Sequence, residues 1–204
     1  MAGGPGVDPG VVEVGTTYLV VDGENIDATL GVVLGRRPAP EERPRWDRVR
    51  EFSERVWGQP VKALFFLNAS TGVLPMSFVQ ALLAMGYRPI ALAGGPNEKV
   101  VDIGIQRTLD AVADRAGDVL LASHDGDFLP HVERLVSRGR RVGLLAFREF
   151  LNAGFAELAP LSGGGPGGTS PQIFDLEHDV QAFTGLLPRV RIIPIEEFDP
   201  VAYL

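Results

Sequence analysis

Cysteine is absent from the 204-residue chain, which excludes disulfides, thiolate metal sites and a cysteine nucleophile. Lysine is nearly absent: of 19 basic residues only Lys62 and Lys99 are lysines, and the rest are arginine. The three histidines, His124, His131 and His178, lack zinc-ligand spacing, so no structural zinc is expected. No apolar run approaches the length of a membrane-spanning helix. The opening MAGGPGVDPG has neither a basic segment nor an apolar core, so a secretory signal is not read there. The expectation is a soluble cytoplasmic protein with no membrane partner. Positive charge is in deficit, with a net −7, which argues against a general polyanion binder. The chain also has no GxxxxGK(S/T) segment, so a P-loop hydrolase is excluded, and AGGPN at 93–97 is a turn rather than a dinucleotide fingerprint.

What is present is a hydrophobic content of 45%, enough for one α/β domain with a sizeable core. TYLVVD, VKALFFLN, YRPIALAG, DVLLASHD and RVGLLAF are strand-length apolar runs, and near-continuous apolarity suits parallel strands covered on both faces. Helical patterns lie between them. WDRVREFSERVWG carries Trp46, Val49, Phe52 and Val56 at helical spacing, and DFLPHVERLVSRG has a proline near its first turn and a terminal glycine. The alternation predicts a three-layer α/β/α sandwich around a mostly parallel five-stranded sheet with right-handed crossovers. Residues 1–15 read as a disordered leader, 16–160 as the domain, 161–171 as a Gly/Pro/Ser linker and 172–204 as a C-terminal extension. The extension holds a helical piece and a strand candidate, RVRIIPI. Three options stay open for it: docking on the domain, adding an edge strand, or pairing with another subunit in a homodimer.

VLLASHDGDFLP places Asp125 and Asp127 directly after an apolar strand, where they either cap the next helix or bind a cation. In open α/β sheets, ligands bind beyond the carboxyl ends of the strands where the strand order reverses. For the order 3-2-1-4-5 that point lies between strand one, ending in Asp22 with Asn25 just after it, and strand four. Asp102 opens the helix leading into strand four, on the same side. Carboxylates that converge repel and raise one another's pKa unless a cation neutralises them. With only oxygen ligands, Mg²⁺ or Mn²⁺ is the natural ion, suited to hydrolysis of a phosphodiester by a metal-activated water. DGDFL echoes the nucleophile loop of dehalogenase-like phosphatases, but Leu129 stands where Thr or Val belongs and the loop follows the wrong strand. Pro130 and absent later ligands exclude a calcium loop.

VVDGENID, KVVDIGI and SHDGDFLPHVERLVSRGRRVGLLAF together resemble the three motif blocks of the NYN domains, PIN-like nucleases that include the LabA-like proteins. The resemblance spans about residues 16–160. It implies a PIN-like fold and metal-dependent cleavage of RNA, single-stranded or structured, leaving a 5′-phosphate and a 3′-hydroxyl. It further implies Asp22, Asp102, Asp125 and Asp127 as catalytic metal ligands. Asn25 would be the polar companion of Asp22, and Lys99 would precede the central helix acid. The family loop commonly reads S-G-D-S-D-F, whereas here His124 and Gly126 replace the Gly and Ser.

Several residues carry competing readings. Ser123 either orients a carboxylate or phosphate or bonds backbone. Lys99 either holds a phosphate as a point charge or is a solvated loop lysine. Asn25 either serves the active site or caps the first helix. The arginines of 36–50 with Trp46 could grip RNA backbone, but interspersed acids and a core-facing Trp46 favour a structural role. The alternative to a ribonuclease is a non-catalytic RNA-binding or regulatory module that keeps the fold.

Overall fold

The computed structural model describes residues 15–158, 170–189 and 195–203. Nearly all of the leader, most of the linker and most of RVRIIPI therefore lie outside the described residues. Among the described residues six parallel strands form one sheet, in the order β3-β2-β1-β4-β5-β6. They are β1 (Thr17–Asp22), β2 (Val61–Asn68), β3 (Tyr87–Leu92), β4 (Asp118–Ala122), β5 (Val142–Ala146) and β6 (Gln172–Asp175). The expected five strands and their order are present, and the count is corrected by one. β6 is the sequence QIFD, four residues long and only partly buried, and it follows a Gly/Pro-rich stretch. A strand that short carries too little alternation to be seen as a period.

Helices α1 (Gly23–Leu34), α2 (Trp46–Val56) and α3 (Met76–Ala84) follow β1 and β2 and cover one face. Helices α4 (Val100–Ala113) and α5 (Leu129–Ser137) cover the other, and a short α6 (Gly154–Glu157) follows β5. The helical spacing read in the sequence has its cause here: Trp46, Val49 and Phe52 are buried along one stripe of α2. α1 stops where Gly35 adopts φ 67°, and its N–H caps the Gly31 and Val32 carbonyls. Pro130 sits in the first turn of α5, where a missing N–H costs nothing.

The segment after the linker is part of this core. Leu176, Val180, Ala182 and Phe183 are buried against the α1–α3 face. Its anchor is Arg189, whose side chain is 4% exposed and meets three carboxylates. Nε donates to Glu177 at 2.6 Å, Nη2 to Asp175 at 2.5 Å, and Nη1 to Glu149 at 2.6 Å. The guanidinium also lies 5.1 Å from the Phe147 ring centroid. Of the three options for the extension, two are realised together: it docks on the domain core and adds an edge strand, Gln172–Asp175. Among the described residues the extension contains only turns and the 3₁₀ segments Ile195–Glu197 and Pro200–Tyr203 beside it, so the expected helical piece is not an α-helix.

The arginines of 36–50 are largely spent inside the molecule. Arg36 pairs with Glu42, Arg43 with Asp27, Arg45 with Asp47 and Arg50 with Glu54, while Arg48 donates to the Gln181 and Phe183 carbonyls.

Candidate metal centre

Two neighbouring strands deliver the site. Val21 of β1 and Ala122 of β4 are register partners, so Asp22 and Ser123 leave the sheet side by side. Side chains alternate along β1, with Leu19 and Val21 packing toward α1–α3 and Val20 toward α4 and α5. On that parity Asp22 falls on the α4 side, where Asp102 occupies the first turn of the helix.

Ser123 joins the two strand ends. Its hydroxyl donates to Asp22 Oδ2 at 3.1 Å and accepts the Asp125 N–H at 3.2 Å, so it both orients a carboxylate and bonds backbone. Asp22 also caps α1 by accepting the Asn25 N–H at 3.1 Å. At 2% exposure its carboxyl is pushed up to about 6, chiefly by burial. The Asn25 and Ser123 hydrogen bonds oppose that rise, and the charges of Asp102 and Glu24 add to it.

The loop after β4 folds on itself. Asp125 Oδ1 accepts the Asp127 N–H at 2.9 Å, so Asp125 caps the 3₁₀ turn Gly126–Phe128. Helix α5 itself starts after Phe128 without a side-chain cap, so neither aspartate caps it. Asp102, Asp125 and Asp127 each bring a carboxylate oxygen within 4.8 Å of the others, while Asp22 lies outside that set. Lys99 bridges two of the three, with Nζ 3.2 Å from Asp127 and 3.4 Å from Asp102. The Asp127 hydrogen bond and charge, then Asp102, raise the ammonium's pKa. Lys99 is therefore an ion-paired lysine beside the cluster, exposed to solvent.

Asn25 holds the loop from the other side. Its Oδ1 accepts the His124 N–H at 2.8 Å and faces His124 Nδ1 at 3.0 Å. The cap of α1 is Asp22, so Asn25 is a clamp between β1 and β4 rather than a cap or a member of the acidic set. His124 is 6% exposed, and its Nε2 accepts the Phe147 N–H at 2.8 Å. An accepting Nε2 assigns the ring proton to Nδ1, facing Asn25 and Thr29 Oγ1, the latter at 3.2 Å. Burial pushes this imidazole down to about 4, with Asp175 opposing and Arg189 assisting. Its ring stacks on Phe147 at 5.5 Å between centroids. His124 is thus a neutral strut between α1, β4 and β5, turned away from the carboxylates.

Gly126 has a steric reason. A Cβ there would collide with the side-chain amide of Asn152, whose Oδ1 accepts the Gly154 N–H at 2.9 Å. Asn152, Thr29, Phe147 and Arg189 all support the loop and all escape sequence reading.

The donor set suits a hard divalent cation: three carboxylates within reach of one ion, no sulfur and no imidazole. The cluster already gathers one positive charge, the Lys99 ammonium. A parallel sheet of this order, with carboxylates from the start of α4 and the loop after β4 gathered at one end, is consistent with a PIN-like fold. The chain belongs to the NYN domain family, whose model matches residues 16–158. A crystal structure of a protein of unknown function from Vibrio parahaemolyticus is similar in fold, with a TM-score of 0.61 at 16% identity, covering 83% of this chain and 98% of that one. No curated protein matches the sequence.

Proposed function

We propose that the protein is a ribonuclease that hydrolyses RNA phosphodiesters with Mg²⁺ or Mn²⁺ held by Asp102, Asp125 and Asp127. The observation that carries this reading is the convergence of those three carboxylates, from two separate segments, within 4.8 Å of one another. Such an ion, when bound, activates a water and neutralises charge on the phosphodiester in an in-line displacement. The chain's own residues do the rest. Ser123 fixes Asp22 and the Asp125 backbone relative to each other, so the buried carboxylate and the loop move as one unit. Asn25 and His124 set the height of that loop above β4. Lys99 exchanges its two carboxylates for a substrate phosphate, where a compact ammonium serves as a point charge.

A non-catalytic RNA-binding module is the second reading, favoured by Lys99 alone: a chain that neutralises its own cluster has less need of an ion. The two separate in one experiment. Asp125→Asn should abolish Mn²⁺-dependent cleavage of a single-stranded RNA and weaken Mn²⁺ binding in calorimetry, with the circular dichroism unchanged. Cleavage equal to that of the unsubstituted protein would remove Asp125 from the machinery. RNA binding without cleavage at any divalent ion concentration would favour the second reading.

A further inference from the structure

A second concavity opens at the same end of the sheet but on its α1–α3 face. It has a volume of about 180 Å³ and is walled by Trp46, Phe65, Leu67 and Phe78, with Asp27 and Arg43 among its polar lining. Gly23 and Glu24, the two residues after Asp22, also line it. One turn therefore carries the buried carboxylate toward one face and the cavity wall toward the other. That turn is glycine because a Cβ on Gly23 would lie 2.5 Å from two carbons of the Phe65 ring.

We propose that this cavity receives a nucleobase of the RNA strand whose phosphate lies at the acidic cluster, which rests on the ribonuclease reading above. Size is the first argument. The volume matches about six waters at bulk density and falls below the usual ligand-pocket range, so it holds one planar heterocycle and leaves sugar and phosphate outside. Shape is the second. Phe65 and Trp46, buried and edge-on to each other at 5.0 Å, form an aromatic floor, and the half-buried Phe78, edge-on to Phe65 at 5.4 Å, stands as the wall a base would meet. Polarity is the third. Arg43 holds both Asp27 oxygens, Nε to Oδ1 and Nη2 to Oδ2, each at 2.8 Å. A carboxylate fixed in this way keeps lone pairs for an exocyclic amino group, so cytosine, adenine or guanine is preferred over uracil.

Trp46 reports occupancy directly. In a Trp57→Phe background, with chelator present, its fluorescence is titrated with CMP, AMP, GMP and UMP. The expected result is saturable quenching by the three amino-bearing nucleotides, with UMP weaker. Leu67→Phe, which fills the cavity, should weaken binding about tenfold, the loss of one base–aromatic contact. The same variant should raise the KM for RNA by a similar factor and leave kcat within about twofold. Asp27→Asn, near the surface, should retain quenching and lose the preference against UMP, which keeps the test open if Leu67→Phe folds poorly. Quenching requires neither metal nor cleavage, so the two readings fail separately. Nucleotide quenching without any RNA cleavage would sink the ribonuclease and keep the base pocket. Cleavage with no quenching, or with affinities unmoved by Leu67→Phe and Asp27→Asn, would overturn the pocket.

Discussion

Acidification should act on two buried groups in opposite directions, and the near-cancellation is testable. His124 is neutral in the folded protein, with its pKa depressed from 6.5 to about 4. A depressed pKa gives stability that is fully present above 6.5 and is lost as pH falls toward 4, because the unfolded chain binds the proton first. Between pH 8 and pH 5 this amounts to about 2 kcal/mol of destabilisation. Asp22 runs the other way, with its pKa raised from 3.8 to about 6. Its stability is present below 3.8 and is lost as pH rises through 6, so the same drop to pH 5 returns about 1 kcal/mol. Metal-free protein should therefore show only a small net loss in urea unfolding between pH 8 and pH 5. Separating the groups exposes the two slopes. His124→Gln, which keeps a neutral acceptor for the Phe147 N–H, should become more stable on acidification, whereas Asp22→Asn should lose about 2 kcal/mol. Chelator is essential, since a bound cation would hold Asp22 ionised. A His124 ring that titrates near 6.5 by NMR in the folded protein, or parallel pH slopes for the unsubstituted protein and His124→Gln, would refute the buried neutral strut.

Three further outcomes are expected. Arg189→Met leaves Asp175, Glu177 and Glu149 without their shared cation and should cost about 3–5 kcal/mol in chemical denaturation, as for other broken buried ion pairs; a loss under 1 kcal/mol would mean that the extension does not anchor the fold. Gly126→Ser should destabilise the loop by about 1–3 kcal/mol through its clash with Asn152, and Asn152→Gly in the same chain should recover most of it; additive losses in the double variant would reject the steric account. Lys99→Met should bind Mn²⁺ a few-fold more tightly in calorimetry, because no internal ammonium competes, while its KM for RNA rises; weaker Mn²⁺ binding would show that Lys99 supports the ion rather than standing in for it.

Strand identity is legible in the sequence because each central strand is covered on both faces and reads as an unbroken apolar run. Helices α2 and α5 are legible because one stripe of each is buried and the rest is wet. β6 escapes for the converse reason. At the sheet edge, with one neighbour and four residues, it needs no apolar run, and what holds it is distant: pairing to β5 and the Arg189 carboxylate cluster. The linker composition suggests an independent appendage, yet Leu176 and Phe183 sit in the same core as Val21 and Phe65. Composition reports how a segment behaves locally, whereas membership of a core depends on where its ends are carried.

Asp102 and the β4 loop were legible as neighbours because topology carries both to one crevice, whereas Asp22, expected among the ligands, lies outside the set of three. The two unusual loop residues were not legible, since each answers to a partner remote in sequence. Gly126 reads as a lost hydroxyl until Asn152 is seen filling the space a side chain would take. His124 reads as an incidental turn residue until its Nε2 is found on the Phe147 N–H and its Nδ1 toward Asn25. Phe147 in turn lies between the His124 ring, the Phe183 ring and the Arg189 guanidinium. A mechanical chain thus runs from the C-terminal extension through Phe147 and His124 to Asn25 and the turn that bears Asp22. Loss of Arg189 should then loosen the crevice as well as the fold, and weakened Mn²⁺ binding in an Arg189 variant that remains folded at low temperature would separate that coupling from simple unfolding.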